Sequence, residues 1–239
     1  MSPPSTDAPE RSSPLVRFLL VLAGVAGVRL DRGARSLLAV GLAAGVLGVA
    51  AVAERSPAPF AWAFGFAAVY YLGNGLLLGT PFRTWAIARF GPGRSAAAYE
   101  LACGALFIAS GVALPLAARV GAGTLPLPRE AAIVLAAAAT VLGFGVKVWA
   151  AWVVGLDTYY YADLWSGRPN GPFVKSGPYR FLSNPMYGVG NLPLYAPALL
   201  AGSVPGLVFA GCCHAALWTF HFLVERPFVR RIYLGAAAP

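Results

Sequence analysis

Long apolar runs, separated by short connections rich in arginine, set the character of this chain. Residues 36–53, 58–80, 96–118 and 131–154 are each apolar for close to the about 20 residues that an α-helix needs to cross a bilayer. A last apolar block, 187–224, is long enough for two passes, with Gly202, Ser203, Val204 and Pro205 in its middle. It predicts a helical hairpin. Residues 15–28 are apolar but short, with Arg17 near their start, and predict a short or interfacial first helix. Residues 1–14 are Ser/Pro-rich, without an apolar period, and read as a disordered tail. Lipid offers no hydrogen bonds, so a spanning backbone must satisfy itself, and none of these runs alternates as a barrel strand does. The pattern predicts an all-α integral membrane protein: a bundle of six or seven transmembrane helices ending in a C-terminal hairpin. Its parts are the tail, N-terminal spans over 15–130, and a core over 131–239 made of a span, a polar connection, the hairpin and a tail.

Composition agrees. The chain is 58% hydrophobic and 11% charged, against about 25% charged residues in a soluble domain. The net charge of +9 would suggest nucleic acid in a soluble protein. Here most arginines sit beside apolar spans, where they set topology and meet anionic headgroups, so no nucleic-acid partner is expected. Arg29, Arg32, Arg35, Arg83, Arg89, Arg94, Arg168, Lys175, Arg180, Arg226, Arg230 and Arg231 fall on one side of the predicted spans. Only Arg55, Arg119 and Arg129 fall on the other. The positive side is normally cytoplasmic. Cys103, Cys212 and Cys213 lie in apolar runs without a CxxC pair, and read as small buried residues rather than disulfides or metal ligands.

Candidate chemistry concentrates in the connection 155–186, which is polar and aromatic and too long for a simple link. Tyr159, Tyr160, Tyr161 and Trp165 are either an interfacial aromatic belt or a wall for a ligand. Asp157 could meet a ligand hydroxyl or cap a turn. On the last span, His214, Trp218, His221 and Glu225 follow at spacings of 4, 3 and 4, which stacks them on one helix face. An ionisable group there is costly and faces a cavity or a partner; Arg180 and Lys147 are the candidate partners of Glu225. His221 and Glu225 alone make no metal site, since no third ligand is evident. Lys147 either snorkels to the interface or meets a phosphate or carboxylate.

Ser176-Gly177-Pro178-Tyr179-Arg180, followed by Asn184-Pro185-Met186-Tyr187-Gly188, resembles the GxYxxxRHPxYxG signature of small integral-membrane methyltransferases, isoprenylcysteine carboxyl methyltransferases among them. The NPMY variant, then a hairpin, then Val224-Glu225-Arg226-Pro227-Phe228, is closer to the phosphatidylethanolamine N-methyltransferases. The resemblance covers about 155–235 and departs from the signature at Ser183-Asn184, where that signature has Arg-His. It implies S-adenosylmethionine as methyl donor, with Ser176, Tyr179, Asn184, Tyr187, Gly188 and Gly190 at the cofactor and Glu225 on its ammonium. It also implies Glu225 or His221 as base, and a membrane-lipid acceptor whose phosphate fits Lys147, Arg180 and Arg230. An aminophospholipid is the expected acceptor; prenylcysteine, a small thiol or another lipid are alternatives. Outside enzymes, a transporter or scaffold would be signalled by inverted repeats, and no such pair is evident.

The charge asymmetry yields one expectation directly. A reporter fused to the C-terminus should read cytoplasmic, and a signal from the opposite compartment would reverse the orientation and remove the connection 155–186 from a cytosolic cofactor.

Overall fold

Among the residues described by the computed structural model, 13–235, every regular element is helical. The expected tail therefore falls outside the described residues up to position 12. Ser13 already belongs to the fold: its Oγ accepts from the Val16 N–H at 3.4 Å and caps α1 (Pro14–Val25). Proline at the first turn suits a helix start, where its missing N–H costs nothing, and it recurs in α3 (Pro59–Gly79) and α5 (Pro92–Ala118).

Among the described residues, five helices are long and apolar enough to cross a membrane. They are α2 (Arg35–Glu54), α3, α5, α6 (Arg129–Val154) and a continuous C-terminal helix over 204–233. The expected six or seven is thus not met by regular helices. The 12 residues of α1 are too few; they rise only about 18 Å. The first arm of the hairpin is a 3₁₀ helix (Val189–Tyr195) running into the short α9 (Ala196–Ala201). Pro193 and Pro197 interrupt it because neither can donate a helical hydrogen bond. Between α3 and α5 lies α4 (Phe82–Phe90), whose Arg83 and Arg89 interrupt any hydropathy signal.

The C-terminal helix is not uniform. It begins as α10 (Val204–Phe220), widens into a π turn over His221–Glu225, and resumes as α11 (Arg226–Tyr233). The Arg226 N–H donates to the His221 carbonyl, five residues back. Pro227 explains the widening, since it has no N–H for the Leu223 carbonyl and its ring crowds that oxygen.

Each end of the bundle is pinned by polar contacts. At one end Arg119 meets Glu54 at 2.8 Å, Ser203 Oγ donates to the Val120 carbonyl, and the Gly123 N–H donates to the Ala201 carbonyl. At the other, Arg29 is 4% exposed. It donates to both Asp31 oxygens, at 2.7 and 2.5 Å, and to Asp157 at 2.9 Å. Arg32 reaches Glu100 at 2.9 Å and also Asp157. Asp157 thus ties the connection after α6 to the connection between α1 and α2. Burial pushes the Asp31 carboxyl up, but the hydrogen bond and charge of Arg29 outweigh it and hold it below the usual range.

The connection after α6 folds into two short helices, α7 (Leu156–Tyr159) and α8 (Ala162–Ser166), joined through Tyr161 in the left-handed region at φ 56°. Trp165 stacks on Tyr99 of α5 at 4.5 Å. The Tyr233 hydroxyl donates to Asp163 at 2.9 Å, and Arg83 donates to the Leu164 carbonyl. The connection, α4 and the end of the last helix are therefore one packed unit at the same end as the arginine cluster.

Arg29→Ala would leave Asp31 and Asp157 short of their main partner. We expect a loss of about 3 kcal/mol in stability, read as a lower unfolding temperature in detergent. Arg29→Lys should recover part of it, and an unchanged temperature in Arg29→Ala would show that the cluster does not hold the fold.

Candidate functional site

The first arm of the hairpin lies against α6, and Gly143 permits it: a Cβ there would be 2.2 Å from Pro193 Cδ. Gly190 packs as tightly, with a Cβ position 2.8 Å from the Pro185 carbonyl oxygen and 3.5 Å from Lys147 Cβ. This approach brings the turn 184–191 beside the middle of α6. The Asn184 side chain accepts from the Tyr187 N–H at 3.0 Å, and the Gly188 and Gly190 N–H groups close on the Asn184 and Pro185 carbonyls. Pro185 is wholly buried.

Beside the turn lies a cavity of about 850 Å³, whose walls include Tyr161, Tyr179, Met186, Tyr187, Lys147 and Glu225. Five of the residues expected at the site thus share it: Lys147, Tyr179, Tyr187, Gly190 and Glu225. Asn184 and His221 stand just behind. The Tyr187 ring meets the His221 ring edge-on, with centroids 5.5 Å apart. His221 Nδ1 is 2.8 Å from Glu225 Oε2 and 3.2 Å from Asn184 Nδ2. One ring nitrogen can serve only one of these. With its proton on Nδ1 it donates to Glu225, the Asn184 NH₂ is left for another acceptor, and Nε2 keeps its lone pair. Glu225 therefore pairs with His221, not with Arg180 or Lys147.

Lys147 Nζ donates to Asn191 Oδ1 at 2.8 Å, and Asn191 Nδ2 donates to the Tyr187 carbonyl at 3.4 Å. Ser176, Arg180 and Arg230 do not line the cavity; all three are exposed at its end of the bundle. Gly188 is part-buried within the turn and is not a wall residue.

Of the aromatic run, Tyr159 and Tyr161 line the cavity, while Tyr160 and Trp165 do not. The Tyr159 and Tyr160 hydroxyls donate to the carbonyls of Val25 and Gly24, at 3.2 and 3.0 Å. The left-handed backbone of Tyr161 turns its ring the other way, and its hydroxyl meets that of Tyr187 at 2.8 Å. Burial pushes the phenols of Tyr161, Tyr179 and Tyr187 well up, with the Glu225 charge adding to it, so all three stay neutral. They offer hydrogen bonds, not charge. His214 is a brace: Nε2 lies 2.6 Å from the Tyr187 carbonyl oxygen and Nδ1 3.1 Å from the Tyr195 hydroxyl.

Sequence reasoning missed Asn191 and the orientation of Tyr161. Asn191 left a signal, being the one amide in the apolar stretch 189–201. The direction of Tyr161 left none, because it depends on one backbone torsion.

The cavity thus presents one carboxylate, neutral phenols, an amide and one ammonium in a largely apolar wall, with the Arg119 guanidinium at its far end. Residues 131–236, the C-terminal part of the chain, match the phospholipid methyltransferase family model. Two curated relatives are phosphatidylethanolamine N-methyltransferases. The one from Malassezia globosa is 35% identical over 81 residues, which is 34% of this chain and 8% of that protein. The one from Schizosaccharomyces japonicus is 30% identical over 115 residues, 48% of this chain and 11% of that protein. The chain thus aligns with only a small fraction of the length of these relatives. No solved structure matches.

Proposed function

We propose that this protein is an S-adenosylmethionine-dependent methyltransferase that N-methylates phosphatidylethanolamine or a partly methylated derivative in the membrane. The observation that carries this reading is the convergence of Glu225 with Tyr179, Tyr187 and Gly190 on one cavity at the loop-bearing end of the bundle. The family match over that segment supports it.

The donor set fits the cofactor. A zwitterionic, cationic ligand asks for one carboxylate against its positive groups and neutral hydrogen-bond donors for its carboxylate. Glu225 provides the first, and the phenols with the Asn184 amide provide the second. Tyr161 and Tyr187 add ring faces for a sulfonium. When bound, S-adenosylmethionine supplies an electrophilic methyl group; this chain's residues would align it with the acceptor and exclude water. Lys147 lies on the same wall as the candidate phosphate contact, with Arg180 and Arg230 outside as an entrance collar. The acceptor ammonium must lose a proton before attack; Glu225 and His221 are the candidate bases, and Glu225 serves there only if it does not hold the cofactor ammonium. The proposed orientation puts this end in the cytoplasm, following the arginine asymmetry.

Glu225→Gln and Asn184→Ala should each weaken S-adenosylmethionine binding by about 10- to 100-fold while leaving membrane insertion intact. Equilibrium binding to purified protein measures this, and full affinity in both variants would make these residues structural only.

The acceptor is tested with labelled S-adenosylmethionine and liposomes of defined lipids, read by lipid chromatography. We expect label in methylated ethanolamine headgroups, with a rate that rises with pH as the amine is freed. Label in a thiol or a prenylcysteine ester, with aminophospholipids untouched, would overturn the acceptor.

A further inference from the structure

The cavity is longer than methyl transfer requires. From Glu225 and Lys147 it continues between α5 and α6 as far as Ala118 and Ala201, at the opposite end of the bundle. The 3₁₀ helix and α9 form its floor. Along α5 its wall runs from Phe107 to Ala118, a rise of about 16 Å and so about half of a bilayer's hydrocarbon thickness.

This extension offers a polar ligand little, since Arg119 at its far end is paired with Glu54 at 2.8 Å. Its walls are apolar side chains such as Ile108, Val112, Pro115, Pro193 and Leu200. Its serine and threonine hydroxyls are already committed to their own helices. Ser110 Oγ donates to the Phe107 carbonyl at 2.9 Å, and Thr140 Oγ1 to the Ala136 carbonyl at 2.7 Å. The cleft is also open sideways: Phe144 on α6 and Leu200 on α9, which both line it, are 42% and 60% exposed. At the junction with the polar part stands the one cation of the wall at that depth, Lys147, paired only with the neutral Asn191.

We propose that this cleft is a subsite for one fatty-acyl chain of the methyl acceptor. The acceptor is thereby a glycerophospholipid that enters sideways between α5 and α6, with its phosphate at Lys147, one chain along Phe107–Ala118 and the other left in the bilayer. The assignment rests on the reading of the acceptor as an aminophospholipid. It goes beyond that reading in making the hydrocarbon, and not only the headgroup, a recognised part of the substrate.

Gly111 provides the test. It lines the cleft, and a Cβ there would meet nothing within 4 Å, so a larger side chain enters open space without displacing the fold. Gly111→Phe should raise KM for a long-chain phosphatidylethanolamine about tenfold through lost chain burial. Turnover of the dihexanoyl lipid and affinity for S-adenosylmethionine should stay as in the parent protein, and Gly111→Ala should resemble the parent. An unchanged KM for the long-chain lipid, or an equal loss for both lipids, would overturn the subsite. A second measurement does not depend on turnover. In nanodiscs, a phospholipid bearing a diazirine on its acyl chain should label residues 107–118, and Gly111→Phe should suppress that label. If the parent methylates no aminophospholipid but is labelled there, the cleft stands and the acceptor reading falls; absence of label there overturns the subsite itself.

Discussion

In hydrocarbon, a backbone polar group without a partner costs several kcal/mol, and everything else in this structure follows from how that demand is met. Five helices meet it within themselves. The first arm of the hairpin cannot, because Pro193 and Pro197 break its helical ladder. Such irregular backbone is tolerated at membrane depth only where protein or a cavity covers it. Here α6 and α10 cover it, and the close contact at Gly143 lets the 3₁₀ helix sit against α6. The candidate site exists because of this irregularity. A regular helix would have filled the space now left beside Tyr187 and Asn191.

The same demand organises the loop-bearing end. A connection rich in tyrosine and aspartate sits next to lipid, and its Asp157, Tyr159, Tyr160, Tyr161 and Asp163 side chains have found protein partners, while the buried Trp165 Nε1 has none. Tyr159 and Tyr160 bond the carbonyls at the end of α1, Asp163 bonds Tyr233, and Asp157 joins the cluster of Arg29 and Arg32. This leaves the Tyr161 and Tyr187 hydroxyls bonded to each other at the cavity, with Glu225 held by His221. The polar groups turned toward a ligand are those whose partners are weak, shared or mutual. That is the arrangement expected of a binding site that must exchange protein contacts for ligand contacts.

The π turn at His221–Glu225 links these two themes. Pro227 removes one backbone donor just after Glu225. The helix widens by one residue per turn there, and the added residue lets Glu225 face the cavity while α11 returns to pack Phe228 in the core. A backbone defect and a functional carboxylate thus occupy the same turn, as is common for π bulges.

By itself the sequence determined the membrane class, four of the five long spans to within a few residues, the place of the hairpin turn, and the residues worth suspecting. Hydropathy over 20 residues and the segregation of arginine are strong, local signals, because the cost of polar groups in lipid applies segment by segment. Tertiary structure alone decided the rest. It shortened the first arm, since proline effects on helix geometry depend on what packs beside them. It gave Asp157 to Arg29 and Arg32 and gave Glu225 to His221, because charges choose partners by distance in space. It separated Lys147, on the wall, from Arg180 and Arg230, outside it, though all three were expected at the acceptor's phosphate. And it opened the long cleft between α5 and α6, which belongs to no segment and arises only from two helices held apart by a third element.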